Sequence, residues 1–250
     1  MTMKAVVLSY SPTSKSGQYL TSHLEGRMIA SLGEILSDEC VINWGAGYAH
    51  YRGWQSQWLN PPSAIERCVD KCIAFDFFRA AHVPHPDWTY HREIARDWLH
   101  QGHVVLARAT ASGMMGRGIS ILNNPQQEIP PAAFYSKHVQ HDQEFRVLVF
   151  KGMVINIGEK RALHSTANLM VRNADERDWD FFGLSTAPYP VLQAGIAAVN
   201  ALKLDFGAAD IGYSTRSNNA HVFEVNSAPG HGHNTITKLA AAINNYLRSL

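Results

Sequence analysis

The amino-acid sequence predicts a mixed α/β (α+β) protein that begins with a small parallel unit and continues into antiparallel strand pairs backed by helices. Three observations carry this reading. Short apolar runs of strand length alternate with stretches of helical period. A strand, a helix and a second strand occupy roughly the first 45 residues, the spacing of a parallel crossover. Further on, strands follow one another across turns as short as Lys151-Gly152, which only antiparallel neighbours allow.

In chain order, Ala5 to Leu8 is a strand that ends in the turn formers SYSPTSKSG; a helical stretch runs to about Gly33, and Cys40-Val41-Ile42 is the next strand. Asn43 to Gln57 is rich in Gly, Trp and Tyr without a period, and reads as a loop whose Trp44, Tyr48, Tyr51 and Trp54 form a lid or line a pocket. Asn60-Pro61-Pro62-Ser63 supplies a capping residue and a first-turn proline to one helix carrying Ile65, Val69, Cys72, Ile73 and Phe77, closed by Val83-Pro84-His85-Pro86. A helix over Arg92 to His100 precedes a hairpin of Val104–Ala107 and Ile119–Leu122 around ATASGMMGRG. Strand runs follow at 134–139, 145–150 and 153–157. Residues 162 to 189 are polar and aperiodic, long for a loop in a compact domain, as functional lids are. Val191 to Leu202 is apolar nearly all round, a buried helix. Asp205–Gly212 and His221–Asn226 form a strand pair across STRSNN, and a last helix aligns Ile236, Leu239, Ile243, Leu247 and Leu250.

Composition removes several classes of function. With 46% apolar and 17% charged residues in 250, the chain is too hydrophobic for disorder. Lys plus Arg is 22 against 21 acidic residues, a net charge of +1, which disfavours electrostatic capture of nucleic acid. No run reaches the ~18 apolar residues of a membrane span, and the run in MTMKAVVLSYSP is too short for a signal peptide. Cys40, Cys68 and Cys72 are an odd number, so they read as core thiols in a reducing, cytoplasmic setting.

Four features carry chemistry. Glu224 and Asn226, at i and i+2 of a strand, share a face, and Asp210 sits opposite if the two strands pair. Two carboxylates and an amide oxygen suit Mg²⁺, although an ordinary acidic hairpin face reads the same way. Ser112 to Gly118 is a Gly-rich loop between strands, either an anion-lining hairpin or a plain flexible one. Glu144 and Arg146 share a strand face, which in isolation describes a surface charge pair. Lys71 lies off the apolar stripe of its helix, as a solvated lysine would.

Their joint order resembles the ATP-grasp superfamily, in particular the carboxylate–amine ligase branch of glutathione synthetases and ribosomal-protein glutamate ligases. The likeness covers Asn60 to the C-terminus, and its most specific pieces are LDFGAADIG and VFEVNSAPG. The short length and the INWG segment are similar to compact phage-type members. The resemblance implies an ATP-grasp fold of two α+β subdomains gripping ATP (61–133 with the Gly-rich hairpin, 134–250 with the metal site), preceded by a small parallel α/β domain over 1–60. It implies that Lys71 and Arg108 reach the nucleotide phosphates, and that Ser112, Gly113, Gly116 and Gly118 close over them. Lys137, His138 and Val139 supply the adenine hinge, and Glu144 takes the ribose. Arg146 and Arg161, with Lys71, act on the transferring phosphoryl group. Asp210, Glu224 and Asn226 hold Mg²⁺, with two ions expected and Mn²⁺ as a substitute. Asn168, Arg172 and Asn173 belong to a substrate-covering loop.

The implied reaction joins a small-molecule or peptide carboxylate to an amine through an acyl phosphate, releasing ADP and phosphate; homodimers are frequent in the superfamily, while the sequence leaves the oligomeric state open. The family usually carries Lys where this chain has Arg108, a planar fork in place of a point charge. The rival readings are a phosphotransferase on the same fold, a non-catalytic nucleotide-binding module, and a His-based metalloprotein using His231 and His233.

Overall fold

The apolar run at residues 5–8 has no polar alternation, so it belongs inside a sheet covered on both faces. In the computed structural model, which describes residues 3–31, 35–36, 38–47, 57–112, 118–164, 179–230 and 233–250, that is where it lies. Strand β1 (Lys4–Ser9) pairs in parallel with β3 (Glu39–Trp44) and with β2 (Arg27–Ile29), and β4 (Gln57–Leu59) adds to β3, giving the order β2-β1-β3-β4. The helix expected to reach Gly33 stops early: α1 is Lys15–His23. Glu25 then takes a positive φ, and at Gly26 a Cβ would lie 2.5 Å from the Ala5 carbonyl, so the chain turns back against β1 where only glycine fits. The expected loop over 43–57 also yields at both ends, since β3 continues to Trp44 and β4 starts at Gln57; Tyr48, Tyr51 and Trp54 lie outside the described residues.

The long helix expected after residue 60 is two helices, α2 (Pro62–Val69) and α3 (Lys71–Ala80). Asp70 leaves helical geometry at ψ 116 and its carboxylate accepts from the amides of Cys72 and Ile73, capping α3. The break re-aims the apolar faces. Ile65, Cys68, Cys72, Phe75 and Phe78 are buried, while Val69 and Ile73 are exposed. Nor is Asn60 the cap of α2, a position taken by Pro61. Asn60 is fully buried, its side chain bonds to the backbone of Asp205 and Phe206, and its own backbone amide donates to Asp205 Oδ2, tying β4 to the strand that follows Asp205. A second sheet in the order β5-β8-β6-β7 combines β5 (Trp88–Thr89), β6 (Val105–Arg108), β7 (Ile119–Leu122) and β8 (Phe134–Lys137), with α4 (Arg92–His100) against it.

The third sheet has the order β11-β10-β9-β12-β13, all antiparallel: β9 (Gln143–Phe150), β10 (Met153–Ala162), β11 (Trp179–Leu184), β12 (Phe206–Ser214) and β13 (Asn219–Asn226). Strand β11 falls inside the stretch read as a 162–189 loop; its Trp, Phe, Phe and Leu pair with the far end of β10. One face, with Phe145, Val147, Val149, Ala209 and Ile211, packs on α5 (Tyr189–Ala201) and on Phe75 and Phe78 of α3. At Gly195 a Cβ would come within 2.9 Å of the Val147 side chain, so glycine lets α5 lie close. The other face places Leu148, Phe150, Phe206 and Ala208 in one core with Ile42 and Trp44 of β3 and with Leu239 and Ile243 of α6 (His233–Arg248). Leu250 lies past the end of α6 and is exposed. Along this second face the apolar row ends at residues 148 and 208, and charged side chains take over.

Candidate active site

Strand alternation builds the centre of the site. Glu144 and Arg146 continue the row of Leu148 and Phe150, and Asp210 continues that of Phe206 and Ala208. The register sets Asp210 opposite Arg146 on one side and Glu224 on the other. Arg146 grips Asp210 with both prongs, Nε to Oδ1 at 2.6 Å and Nη2 to Oδ2 at 2.7 Å. Asn226 directs its Nδ2 at Asp210 Oδ2 (3.4 Å) and Glu224 Oε1 (3.3 Å). The three side chains proposed from sequence to hold a metal therefore converge, with the amide nitrogen, rather than its oxygen, facing the carboxylates.

Lys71 arrives from the first position of α3, because Asp70 caps a new helix there. Its Nζ lies 3.0 Å from Glu224 Oε2 and only 12% of the side chain is exposed, so it is a buried ion-pair member rather than a solvated lysine. Its backbone amide donates to Ala111 O at the root of the Gly-rich hairpin. Ser112 lies there too, its amide bonded to Thr110 Oγ1, and Gly118 closes the far side at φ 71. Arg108 ends β6 with its guanidinium 5.7 Å above the Phe134 ring, and its buried Nε has no hydrogen-bond partner among the described residues. An orphaned guanidinium N–H in a buried setting suits an anionic oxygen.

Glu144, the expected ribose partner, is buried and pairs with Lys160 (Nζ to Oε1, 2.8 Å), with His141 Nε2 3.9 Å from its other oxygen. So the Glu144 and Arg146 pair of the sequence is not a surface one. Lys160 and Phe181 escaped the sequence reading. The Phe181 ring lies under Arg146 at 4.3 Å and Lys160 at 5.5 Å, walling this side of the site. Arg161 lies on the opposite face of β10, bonded to Glu159 and stacked over Phe182. A bulge between Val154 and Asn156 shifts the register by one residue and so turns Lys160, not Arg161, toward Glu144. The signal for Lys160 was its place beside Arg161; the bulge had none.

At the expected hinge, Lys137 pairs with Asp87 at 3.0 Å, the His138 amide donates to Val104 O, and Val139 O meets His141 Nδ1 at 2.7 Å. Gly113, Gly116, Asn168, Arg172, Asn173 and His231 lie outside the described residues, as does the His233 side chain.

Electrostatics separate the two central carboxylates. Burial alone would raise Glu224, but Lys71 and then Arg146 outweigh it and hold the group down to about 2. Burial pushes Asp210 up, and the charge of Glu224 adds to the rise while Arg146 opposes it. Glu144 ends below its ordinary range because His141 and Lys160 together overcome its burial. Burial lowers Arg108, and the nearby Glu224 counters it. Among the described residues no group of three or more His, Cys, Asp and Glu could hold a metal. Two carboxylates with an amide, ringed by cations, do fit a divalent ion whose remaining ligands are phosphate oxygens.

No protein-family model matches the sequence, and no curated protein matches it significantly. Solved structures do match along the whole chain. The structure of the ATP-grasp ligase PsnB with minimal precursor, Mg and ADP superposes with TM-score 0.69 at 13% identity, covering 100% of this chain and 97% of that one. The chain has the ATP-grasp fold. A Chryseobacterium gregarium RiPP-associated ATP-grasp ligase, in complex with ADP and a leader and core peptide, gives TM-score 0.66 at 14% identity over 99% and 97% of the two chains. D-alanine–D-alanine ligase from Bacillus anthracis, complexed with ATP, gives 0.64 at 14% over 100% and 95%. Within this fold Lys71 of α3 and Arg108 at the end of the second sheet face Glu224, beside the Arg146–Asp210 pair of the third sheet.

Proposed function

We propose that this protein is an ATP-dependent carboxylate–amine ligase. The observation that carries the reading is the meeting of Asp210, Glu224 and Asn226 with Lys71, Arg108 and Arg146. The fold neighbours with nucleotide, Mg and peptide or ATP in their complexes support it.

The chemistry follows from the residues. A free carboxylate acylates amines poorly because it would have to expel oxide. Attack of a carboxylate oxygen on the γ-phosphorus of ATP forms an acyl phosphate and releases ADP. The amine then attacks the acyl carbon, phosphate leaves, and the nitrogen gives up its proton. Phosphoryl transfer asks mainly for positioning and charge neutralisation. Lys71 and Arg108 supply cations for the β- and γ-phosphates, Arg146 and Lys160 line the wall nearest the transferring group, and Glu144 meets the ribose. Mg²⁺ held by Asp210, Glu224 and the Asn226 oxygen would neutralise phosphate charge. The neighbours act among peptides and D-alanine, so amino acids or a peptide are the substrate class to screen first. Three buried free cysteines agree with a reducing, cytoplasmic location, and no described helix is long and apolar enough to cross a membrane.

The test is release of ADP from ATP with paired amino acids and peptides. Turnover that needs both a carboxylate and an amine is the expected result, and Asp210→Ala and Glu224→Ala should each abolish it while the circular dichroism spectrum stays unchanged. Undiminished turnover in either variant would remove the metal assignment. ADP release with a hydroxyl acceptor or water alone would make the protein a phosphotransferase.

A further inference from the structure

An imidazole that no motif singles out stands between Val139 and Glu144. His141 lies in the connection from β8 to β9, and 5% of its side chain is exposed. Its Nδ1 is 2.7 Å from Val139 O; a carbonyl only accepts, so this nitrogen carries the proton and donates. Across the ring, Nε2 faces Glu144 Oε2 at 3.9 Å, while Lys160 Nζ holds the other oxygen, Oε1, at 2.8 Å. The fold makes room for the ring. Gly212 of β12 lies directly opposite Glu144, and a Cβ there would strike the Phe223 ring and come within 3.0 Å of His141 Cγ. The register shift between Asp210 and Ile211 leaves Phe223 as the extra residue of β13, and its ring meets that of His141 edge to face with centroids 5.1 Å apart. Glycine, bulge and aromatic contact together confine the imidazole. Burial alone would raise Glu144, and His141 comes first among the groups that bring it below its ordinary range. The carboxylate therefore stays ionised, an acceptor for donors that approach it.

We propose that His141 is a positioning residue that sets a preference for ribonucleotides: one edge of its ring fixes the Val139 carbonyl, and the other aims Glu144 at the ribose hydroxyls. This rests on the ligase reading, in which Glu144 meets the ribose, and adds the group that makes the contact selective. A hydroxyl bonds well to a carboxylate only where the acceptor oxygen is correctly oriented. A carboxylate free to swing loses entropy when it is ordered by the ligand, and so discriminates less. Acting through Glu144, the imidazole need not touch the nucleotide.

The experiment is calorimetric titration of the full chain, with Mg²⁺ present, by a non-hydrolysable ATP analogue and by its 2′-deoxy and 3′-deoxy forms. The parent should bind the ribonucleotide at least about tenfold more tightly than one of the deoxy forms, the size of one hydrogen bond to a charged acceptor. His141→Asn keeps a donor near the place of Nδ1 and shortens the arm toward Glu144, so that ratio should fall below about threefold. His141→Gln presents a donor near the place of Nε2 and should hold the ratio within about threefold of the parent's. Glu144→Gln should itself collapse the ratio, and adding His141→Asn to it should remove nothing further, as expected of a residue that works through another. Circular dichroism checks each fold. A folded His141→Asn chain with the parental ratio would overturn the proposal, and so would a further loss in the double variant. Should His141→Asn not fold, collapse of the ratio in a folded His141→Gln chain would overturn it instead. A parent that binds all three forms equally would show that Glu144 does not read the ribose, which defeats the role of His141 while nucleotide binding stands. Failure to bind any of them would refute the ligase reading, and this inference with it.

Discussion

Removing Arg146 tests the central architecture without relying on activity. Its two hydrogen bonds to Asp210 are 2.6 and 2.7 Å long, and the side chains are 15% and 8% exposed, so water screens the pair little. Charge-assisted bonds are worth roughly 1.5–3 kcal/mol each, and breaking a buried pair by deleting one member costs about 3–5 kcal/mol. Arg146→Met keeps much of the aliphatic stem and strands the carboxylate, so urea unfolding near neutral pH should show a loss of about 3–5 kcal/mol. Burial already raises Asp210, and without Arg146 the rise grows. A carboxyl whose folded pKa is raised stabilises the fold while protonated and loses that contribution as pH rises through its folded value. The deficit should therefore be smaller near pH 5 than near pH 7. The double variant Arg146→Met with Asp210→Asn removes both charges and should lose less than the two single losses added, by roughly 2–3 kcal/mol. A loss under about 1 kcal/mol near neutral pH, or strict additivity, would refute the buried pair.

Three further perturbations have defined outcomes. Asp70→Ala removes the cap that separates α2 from α3, with its bonds of 2.8 and 3.0 Å, and should cost about 1 kcal/mol in thermal unfolding; an unchanged melting curve would show that the cap is dispensable. Arg108→Lys exchanges a fork for a point charge and should retain or raise ADP release, whereas complete loss would show that the guanidinium shape is required. His221 is held below its ordinary 6.5 by burial and then by the charges of His85 and His141, with Asp87 opposing. That stabilisation is whole above 6.5 and is lost as pH falls through the lowered value, so His221→Gln should show a smaller fall in melting temperature between about pH 7 and 5.5 than the parent; equal falls would refute it.

The elements legible in the sequence were those whose pattern is local. The parallel start, the Lys151-Gly152 turn with both residues at positive φ, the apolar helix α5 and the β12–β13 pair each follow from a run of side chains and a turn. So did the meeting of Asp210, Glu224 and Asn226, because i and i+2 share a strand face and the two strands are neighbours in the chain. The split at Asp70 was hidden because Ile65, Val69, Cys72, Ile73 and Phe77 have helical spacing across it. Strand β11 was hidden because its partner β10 lies across a long connection.

The sequence by itself determined the inventory of charges, the strand faces they occupy and the likeness to ATP-grasp ligases. Tertiary structure decided how those charges pair. Lys71 meets Glu224 only because α2, packed on β13, delivers the capped start of α3 beside it, and Lys160 displaces Arg161 only because a single-residue bulge reverses the alternation of β10. Alternation and helical period are set by backbone geometry over a few residues, whereas an ion pair is set by which distant backbones burial brings together, and one inserted residue is enough to change its members.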